Sequence, residues 1–446
     1  MRISVVGTGH VGLTTAACLA HVGHQVLGVD DDAEKVASIA RGEVPFHEPG
    51  LTELVREGLD NGRLRVSPDA SAAARHGDIV FVCVGTPTKE SGEANLVQVE
   101  RVARVVARSL EGYTVVAEKS TVPVETGLWI QRTIGREASP DAEVDVASNP
   151  EFLQEGRAVK DTLEPDRVVV GAESERAVER LREAYRPIVD RAGCPFVVTD
   201  LATAELIKHA SNAFLSTKIS FINAVADVCE RTGADVETVA AAMGLDPRIG
   251  PAFLRAGLGF GGECLPKDVR AFRYTAEQLG VGFGLLGEVE RVNVARIDAF
   301  VEKIRAVLWH LEDKRVALWG LAFKPDTDDL RHSPALEVAH RLVEGGAHVV
   351  AYDPVAMPAA KPLIGDVEFA ADPYEAVRGA DCLAVCTEWS VFATADLDRL
   401  RDEMAHPVVV DGRNVFHPAA MAAAGFTYAS MGRPTQGPDH DKPLST

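Results

Sequence analysis

The residues best suited to chemistry lie in one short stretch, Gly257-Leu258-Gly259-Phe260-Gly261-Gly262-Glu263-Cys264-Leu265-Pro266-Lys267-Asp268. Glycines let a backbone wrap closely around a ligand, and a neighbouring lysine or a helix N-terminus lowers a thiol pKa toward the reactive thiolate. Cys264 is therefore a candidate nucleophile; on this stretch alone, a buried cysteine in a flexible loop explains the residues equally well. A second stretch, Gly7-Thr8-Gly9-His10-Val11-Gly12, follows a strand-like run and opens a helical one, and an acid, Asp30, closes the next strand-like run. In such a turn Gly7 permits the tight bend, Gly9 lets the backbone approach a pyrophosphate, and Gly12 lets helix and strand pack closely. Asp30 can accept hydrogen bonds from an adenosine ribose, and with Asp31 and Asp32 it would repel a 2′-phosphate, so NAD is favoured over NADP. Lys208 and Asn212 are one turn apart in a helical run, so they share a face; a Lys and Asn at this spacing more often form a solvated face, but the apolar and small residues around them favour a pair that looks inward, where it could donate to a developing oxyanion.

The elements that must position these residues follow from apolar periodicity. Strand-like runs at 3–6, 25–29, 79–84, 114–117, 144–147 and 167–170 alternate with segments of helical length, as a doubly wound α/β sheet requires. From residue 201 to 232 no Gly or Pro occurs and apolar residues recur at helical spacing, which predicts one long helix. Further helix is predicted over 236–243 and 269–299. A second β-α-β pattern starts at Arg315-Val316-Ala317-Leu318-Trp319-Gly320 and repeats the N-terminal plan. The predicted fold is two Rossmann-like doubly wound α/β domains, 1–198 and 301–432, joined by a central helical domain, 199–300, with a flexible tail over 433–446. The second unit's turn, Gly320-Leu321-Ala322-Phe323-Lys324, lacks the three-glycine spacing and should not take a dinucleotide in the same way; a lysine there suits a sugar or phosphate.

At 446 residues the chain is too long for one core, and 46% hydrophobic with 25% charged residues is ordinary for a globular enzyme. A net charge of -20 argues against nucleic acid and anionic lipid as partners. The cysteines, 7 in all, lack the even, dense spacing of a disulfide framework, which points to a reducing cytoplasm. The sequence opens directly on strand-like residues, leaving no room for a signal peptide, and no apolar run approaches a membrane span. Cys382 and Cys386 flank a strand-like core run without histidines, so no metal site is expected.

Several motifs together resemble the UDP-glucose/GDP-mannose dehydrogenase family over essentially the whole chain. They are the N-terminal glycine turn, Val84-Gly85-Thr86-Pro87-Thr88, Glu118-Lys119-Ser120-Thr121-Val122-Pro123, Asn149-Pro150-Glu151-Phe152-Leu153-Gln154-Glu155-Gly156, the helix with Lys208 and Asn212, the Cys264 stretch, and Ala322-Phe323-Lys324-Pro325-Asp326-Thr327. The resemblance implies NAD-dependent oxidation of the C6 alcohol of a nucleotide hexose, twice, to a uronic acid, with Cys264 carrying a thiohemiacetal and then a thioester. It implies catalytic roles for Lys208, Asn212, Asp268, Thr121 and Glu151. On the cofactor side it implies His10, Val11, Lys35, Thr86, Thr121, Glu155, Lys267 and Arg331 beside the glycines and Asp30. Substrate contacts are expected from Glu151, Phe152, Leu153, Lys208, Asn212, Phe260, Gly261, Lys324 and Arg413, with Arg248 reaching across a homodimer or higher oligomer built on the long helix.

The departures from the family are Glu263, where many relatives carry serine, which sets a negative charge beside the thiol, and Leu265-Pro266, which is closer to the GDP-mannose branch. UDP-glucose is the favoured substrate. dTDP-glucose, GDP-mannose and UDP-N-acetylhexosamines stay open, as do a single-step NAD dehydrogenase and a non-catalytic NAD-binding protein.

Overall fold

The computed structural model describes residues 1–437, which divide into two compact units: Met1–Ser211 with Arg270–Gly282, and Asn212–Val269 with the residues from Phe283 onward. The first unit is built on β1 (Arg2–Val6), β2 (Gln25–Val29), β3 (Leu64–Ser67), β4 (Ile79–Val82), β5 (Tyr113–Glu118), β6 (Glu143–Ser148), β7 (Val168–Ala172) and β8 (Phe196–Thr199), in the order β3-β2-β1-β4-β5-β6-β7-β8. The central strands read as unbroken apolar runs because helices cover both faces; β4, Ile79-Val80-Phe81-Val82, is buried throughout. Pairing is parallel except between β6 and β7. The order reverses between β1 and β4, the switch point at which open α/β sheets bind ligands.

The second unit repeats the plan with β9 (Arg315–Trp319), β10 (His348–Tyr352), β11 (Glu368–Phe369), β12 (Cys382–Val385), β13 (Val408–Asp411) and β14 (Thr427–Ser430), in the order β11-β10-β9-β12-β13-β14. Its core includes Trp319 stacked on Phe392, with ring centroids 4.8 Å apart. Cys382 and Cys386 lie in this core, where burial pushes both thiols up. Trp389 is buried as well, whereas Trp309, at the end of the helix Gly284–Leu308, is 87% exposed.

Helix Leu201–Thr232 runs 32 residues. The run expected over 269–299 is instead two helices, Cys264–Gln278 and Gly284–Leu308, because glycines at 280 and 282 break it, the first with φ 72°. The helix Gly284–Leu308 runs through position 300, the end of the expected helical segment. The described residues include the first part of the expected tail, 433–437. Arg433 is buried and donates to Ser430, Asn414 and Tyr428, and Gln436 pairs with Tyr428 as an antiparallel bridge. Residues 438–446 of that tail lie outside the described residues. Among the described residues no helix is long and apolar enough to cross a membrane.

Candidate active site

In the first unit the turn after β1 leads straight into the helix His10–His21, with Gly9 as its N-cap. Gly7 has φ 94°, and a Cβ on it would lie 2.4 Å from the Cys83 carbonyl oxygen; one on Gly12 would lie 1.7 Å from the Gly7 carbonyl oxygen. A Cβ on Gly9 meets nothing within 4 Å. The fold itself thus requires the outer two glycines, while the middle one leaves open space at a helix N-terminus, which fits a dinucleotide pyrophosphate. His10 packs its ring against Phe46, with centroids 3.7 Å apart, and Val11 is half-buried beside it.

Asp30 accepts from the Thr8 N–H at 2.8 Å and the Thr8 hydroxyl at 2.9 Å, and Lys35 Nζ lies 3.0 Å from both carboxylate oxygens. Burial pushes its pKa up, but the Thr8 and Lys35 hydrogen bonds outweigh that and hold it below the ordinary carboxylate value. An ionised Asp30 under the turn suits a ribose diol.

The loops after β4, β5 and β6 leave the same edge of three parallel strands. Thr86 Oγ1 donates to the Thr121 carbonyl at 2.8 Å. Lys119 is buried and donates to Asn149 Oδ1 at 3.2 Å and the Tyr185 hydroxyl at 3.1 Å, which ties the β5 loop to the β6 loop. Glu151 and Lys208 form a buried ion pair at 3.0 Å, and the other Glu151 oxygen accepts from the Leu153 N–H at 2.7 Å. Phe152 stacks under the Arg167 guanidinium at 3.8 Å, and a cavity of about 110 Å³ opens beside Lys119, Glu151 and Phe152. The turn that carries Glu155 is held by Glu48, whose carboxylate accepts from the N–H groups of Gly156 and Ala158, both at 2.7 Å.

In the second unit Cys264 is the first residue of the helix Cys264–Gln278, half-buried, with its thiol at the positive end of the helix dipole. Pro266 is tolerated because first-turn N–H groups have no partner within the helix. Asp268 is fully buried and accepts from Asn212 Nδ2 at 2.6 Å and Lys267 Nζ at 2.7 Å. Glu263 faces Arg331 at 3.6 Å, and Arg331 also holds Asp329 through two donors at 2.8 Å, so a guanidinium offsets the charge next to the thiol.

The glycine-rich loop is gripped from several sides. Asn293 accepts from the Phe260 N–H at 2.8 Å and donates to its carbonyl at 3.0 Å. Gly259 has φ 86°, and a Cβ there would lie 2.4 Å from Asn293 Oδ1; one on Gly261 would lie 2.4 Å from the His332 carbonyl oxygen. Arg413 donates to the carbonyls of Cys386, Gly259 and Phe323 at 2.9, 3.1 and 3.2 Å. Lys324 Nζ lies 5.5 Å from the Phe323 ring centroid. Arg248 extends into solvent and pairs with Asp246 at 2.6 Å.

The expected residues thus fall into two groups. The first unit holds the glycine turn, Asp30, Lys35, Thr86, Thr121, Glu151, Phe152, Leu153, Glu155 and Lys208. The second holds Asn212, Arg248, Phe260, Gly261, Cys264, Lys267, Asp268, Lys324, Arg331 and Arg413. Sequence reading missed Glu48, Glu205, His209 and Asn293. The available signal was an ionisable or amide side chain within an otherwise apolar or glycine-bearing segment, which is weak for any one residue.

Three models of one family match in succession: the NAD binding domain of the UDP-glucose/GDP-mannose dehydrogenase family over residues 1–189, its central domain over 202–295 and its UDP binding domain over 317–418. A UDP-glucose 6-dehydrogenase of Rhizobium meliloti is 45% identical over 438 residues, covering 97% of this chain and 100% of the relative. One of Pseudomonas aeruginosa is 42% identical and covers 98% of each chain. A solved UDP-glucose dehydrogenase from the archaeon Pyrobaculum islandicum superimposes with a TM-score of 0.90 at 38% identity, covering 97% of this chain and 98% of that one. With all three segments present in order, the chain belongs to the UDP-glucose/GDP-mannose dehydrogenase family.

Proposed function

We propose that the chain oxidises the C6 alcohol of UDP-glucose to the carboxylate of UDP-glucuronate. The observation that carries this reading is Cys264 at a helix N-terminus with Asp268 one turn on, bound by Asn212 and Lys267. The glycine turn and Asp30 would hold NAD, which when bound would supply the hydride acceptor for each of two oxidations at C6. In the first oxidation a carboxylate takes the alcohol proton, for which Asp268 and Glu151 are the candidates. Lys208 and Asn212 donate to the oxygen on C6 as charge develops there. Thr121 orients a water for proton transfer. The Cys264 thiolate then adds to the aldehyde carbon and the oxygen takes a proton, giving a thiohemiacetal that keeps C6 from escaping. The second oxidation removes hydride and proton and leaves a thioester, and water cleaves it to the carboxylic acid and the free thiol. On the cofactor side the reading uses Lys35, Thr86, Glu155, Lys267 and Arg331, and on the sugar-nucleotide side Phe152, Leu153, Phe260, Gly261, Lys324 and Arg413.

The test is stoichiometry. Two NADH per UDP-glucose are expected, against none or little with dTDP-glucose, GDP-mannose and the UDP-N-acetylhexosamines. Cys264→Ser is expected to lose full turnover. One NADH per sugar, or a Cys264→Ser enzyme with unchanged steady-state rate, would remove the thiol from the mechanism.

The long helix leaves Phe214, Phe221 and Val228 exposed at 65%, 52% and 60%, one apolar side chain every second turn, which supports a homodimer through this face with Arg248 serving the neighbouring subunit. A sedimentation profile of an active monomer would dismiss it. The free cysteines support a cytoplasmic location.

A further inference from the structure

One turn before Lys208 the long helix carries Glu205, which is 2% exposed. Its Oε2 accepts from the Glu125 N–H at 2.7 Å and its Oε1 from the Gly127 N–H at 2.7 Å. Both donors belong to the start of the helix Thr126–Glu137, where N–H groups have no partner within the helix. One turn after Glu205, His209 Nε2 donates to the Val122 carbonyl at 2.8 Å. On the other side, Thr86 holds the Thr121 carbonyl at 2.8 Å. The segment 121–127 is therefore fixed by side chains at four backbone groups. It also contains a residue that resists its own conformation, since Glu125 sits at φ 78°, a region that favours glycine. The Glu205 carboxylate holds that residue and the next turn in place.

We infer that Glu205 is a positioning residue for the reaction: it locks the segment bearing Thr121 to the helix bearing Lys208, and so sets the Thr121 hydroxyl relative to the Lys208–Glu151 pair. This rests on the reading that Thr121 acts in the chemistry. The buried carboxylate oxygens of Glu205 are taken up by backbone N–H groups of the first unit, so its effect on the reaction runs through the segment that carries them. Loss of this grip leaves the pieces present but displaced. Displacement of this kind lowers the rate of the chemical step more than it weakens binding.

The test is a double-mutant cycle in the full-length enzyme, reading kcat, the KM values for UDP-glucose and NAD, and thermal stability for Glu205→Ala, Thr121→Ala and both together. Glu205→Ala is expected to lower kcat roughly tenfold to a hundredfold while the UDP-glucose KM moves by less than about threefold. The double variant is expected to be no slower than the slower single one, because both changes remove the same placement. A product of the two single effects, or a kcat within about twofold of the parent in Glu205→Ala, overturns the inference. If Thr121→Ala keeps the parent kcat, the role of Thr121 fails first and the inference falls with it, an outcome distinct from a slow Thr121→Ala beside an unaffected Glu205→Ala. Should Glu205→Ala not fold, Glu205→Gln preserves volume and one acceptor oxygen; it is expected to be partly slowed, and a parental rate overturns the inference.

Discussion

The two sheets share a plan, and the ends of their strands show where they part. In both, a glycine after the first strand lies against the loop that follows the fourth-position strand: Gly7 with φ 94° against Cys83, and Gly320 with φ 93°, whose Cβ would lie 2.3 Å from the Thr387 Cβ. In both, a carboxylate at the end of the second strand reaches under that turn. Asp30 accepts from Thr8, Asp32 and Lys35. Asp353 is fully buried and accepts from the N–H groups of Leu321, Ala322, Val355 and Ala356 and from Trp389 Nε1. After Gly7 the chain enters a helix at once, with open space at Gly9. After Gly320 come Leu321 and Ala322, and the helix Pro334–Glu344 starts only later. The same acid thus ties both turns, but in one domain the turn leaves open space at a helix N-terminus, whereas in the other the acid's oxygens serve five donors of the protein itself. This explains why the second sheet repeats the architecture without the dinucleotide signature.

The largest expected effect breaks this comparison directly. Asp353→Ala leaves five donors without their acceptor, four of them buried, at about 1–3 kcal/mol for each buried one before relaxation, enough to unfold a domain of ordinary stability. Asp30→Ala leaves the buried Thr8 N–H and hydroxyl without their acceptor and is expected to lose less stability than Asp353→Ala, while its NAD KM is expected to rise about tenfold or more through loss of a charged acceptor for the ribose. Denaturant melts together with NAD titrations check both. Equal loss of stability in the two variants would mean that Asp30 is as structural as Asp353.

A second pair sits at the ends of β5 and β13, which hold matching places in the two sheets. Burial pushes Glu118 up to about 8, opposed by its hydrogen bonds from Ser120 and reinforced by the nearby Glu205 carboxylate. Asp411 is also raised by burial, but it accepts from the N–H groups of Arg413, Val415 and Phe416 and from the Tyr428 hydroxyl, with Arg433 nearby. Between its ordinary value of 4.5 and about 8, folded Glu118 keeps a proton that the unfolded chain has released. Stability therefore falls as pH rises through that window and is greatest below it. Glu118→Gln is expected to melt about 5 °C above the parent at pH 8 and to show no gain near pH 5. Asp411→Asn should lose stability at every pH, because its oxygens serve donors throughout. Parallel melting curves for Glu118→Gln and the parent across pH would refute the assignment.

Much of this was legible in the sequence where the determinants are local. The glycine turn, Asp30, the break-free helix Leu201–Thr232 and the second β-α-β pattern each rest on neighbouring residues, and each has its expected form. The start of the Cys264–Gln278 helix was obscured by Pro266, which usually ends helices but is harmless in a first turn. The antiparallel β6–β7 pairing and the short edge strand β8 carry no local mark. Nor do Glu48, Glu205 and Asn293, each of which holds backbone groups distant in sequence. Glu263 looked adverse to the thiol because its partner, Arg331, cannot be paired with it from spacing.

The smallest expected effect concerns the turns after β5 and β13, where each domain places a non-glycine residue at positive φ: Glu125 at 78° and Asn414 at 53°. Asn tolerates this region because its short amide bonds locally, and Asn414 uses its side chain fully, donating to Glu237 and the Met431 carbonyl and accepting from the Met431 N–H and Arg433. Glu125 is exposed, and its charge opposes the buried Glu205 carboxylate, which burial already lifts to about 7. Glycine at 125 would remove the Cβ conflict, worth about 1–2 kcal/mol, and the like charge, at an entropic cost of about 0.5–1 kcal/mol in the unfolded chain. Glu125→Gly is therefore expected to stabilise the protein by up to about 1 kcal/mol, whereas Asn414→Gly should destabilise it because the lost hydrogen bonds outweigh any relief of strain. Denaturant midpoints that move in opposite directions support this reading. A loss of stability in Glu125→Gly would mean that the Glu125 side chain contributes more than its backbone conformation costs.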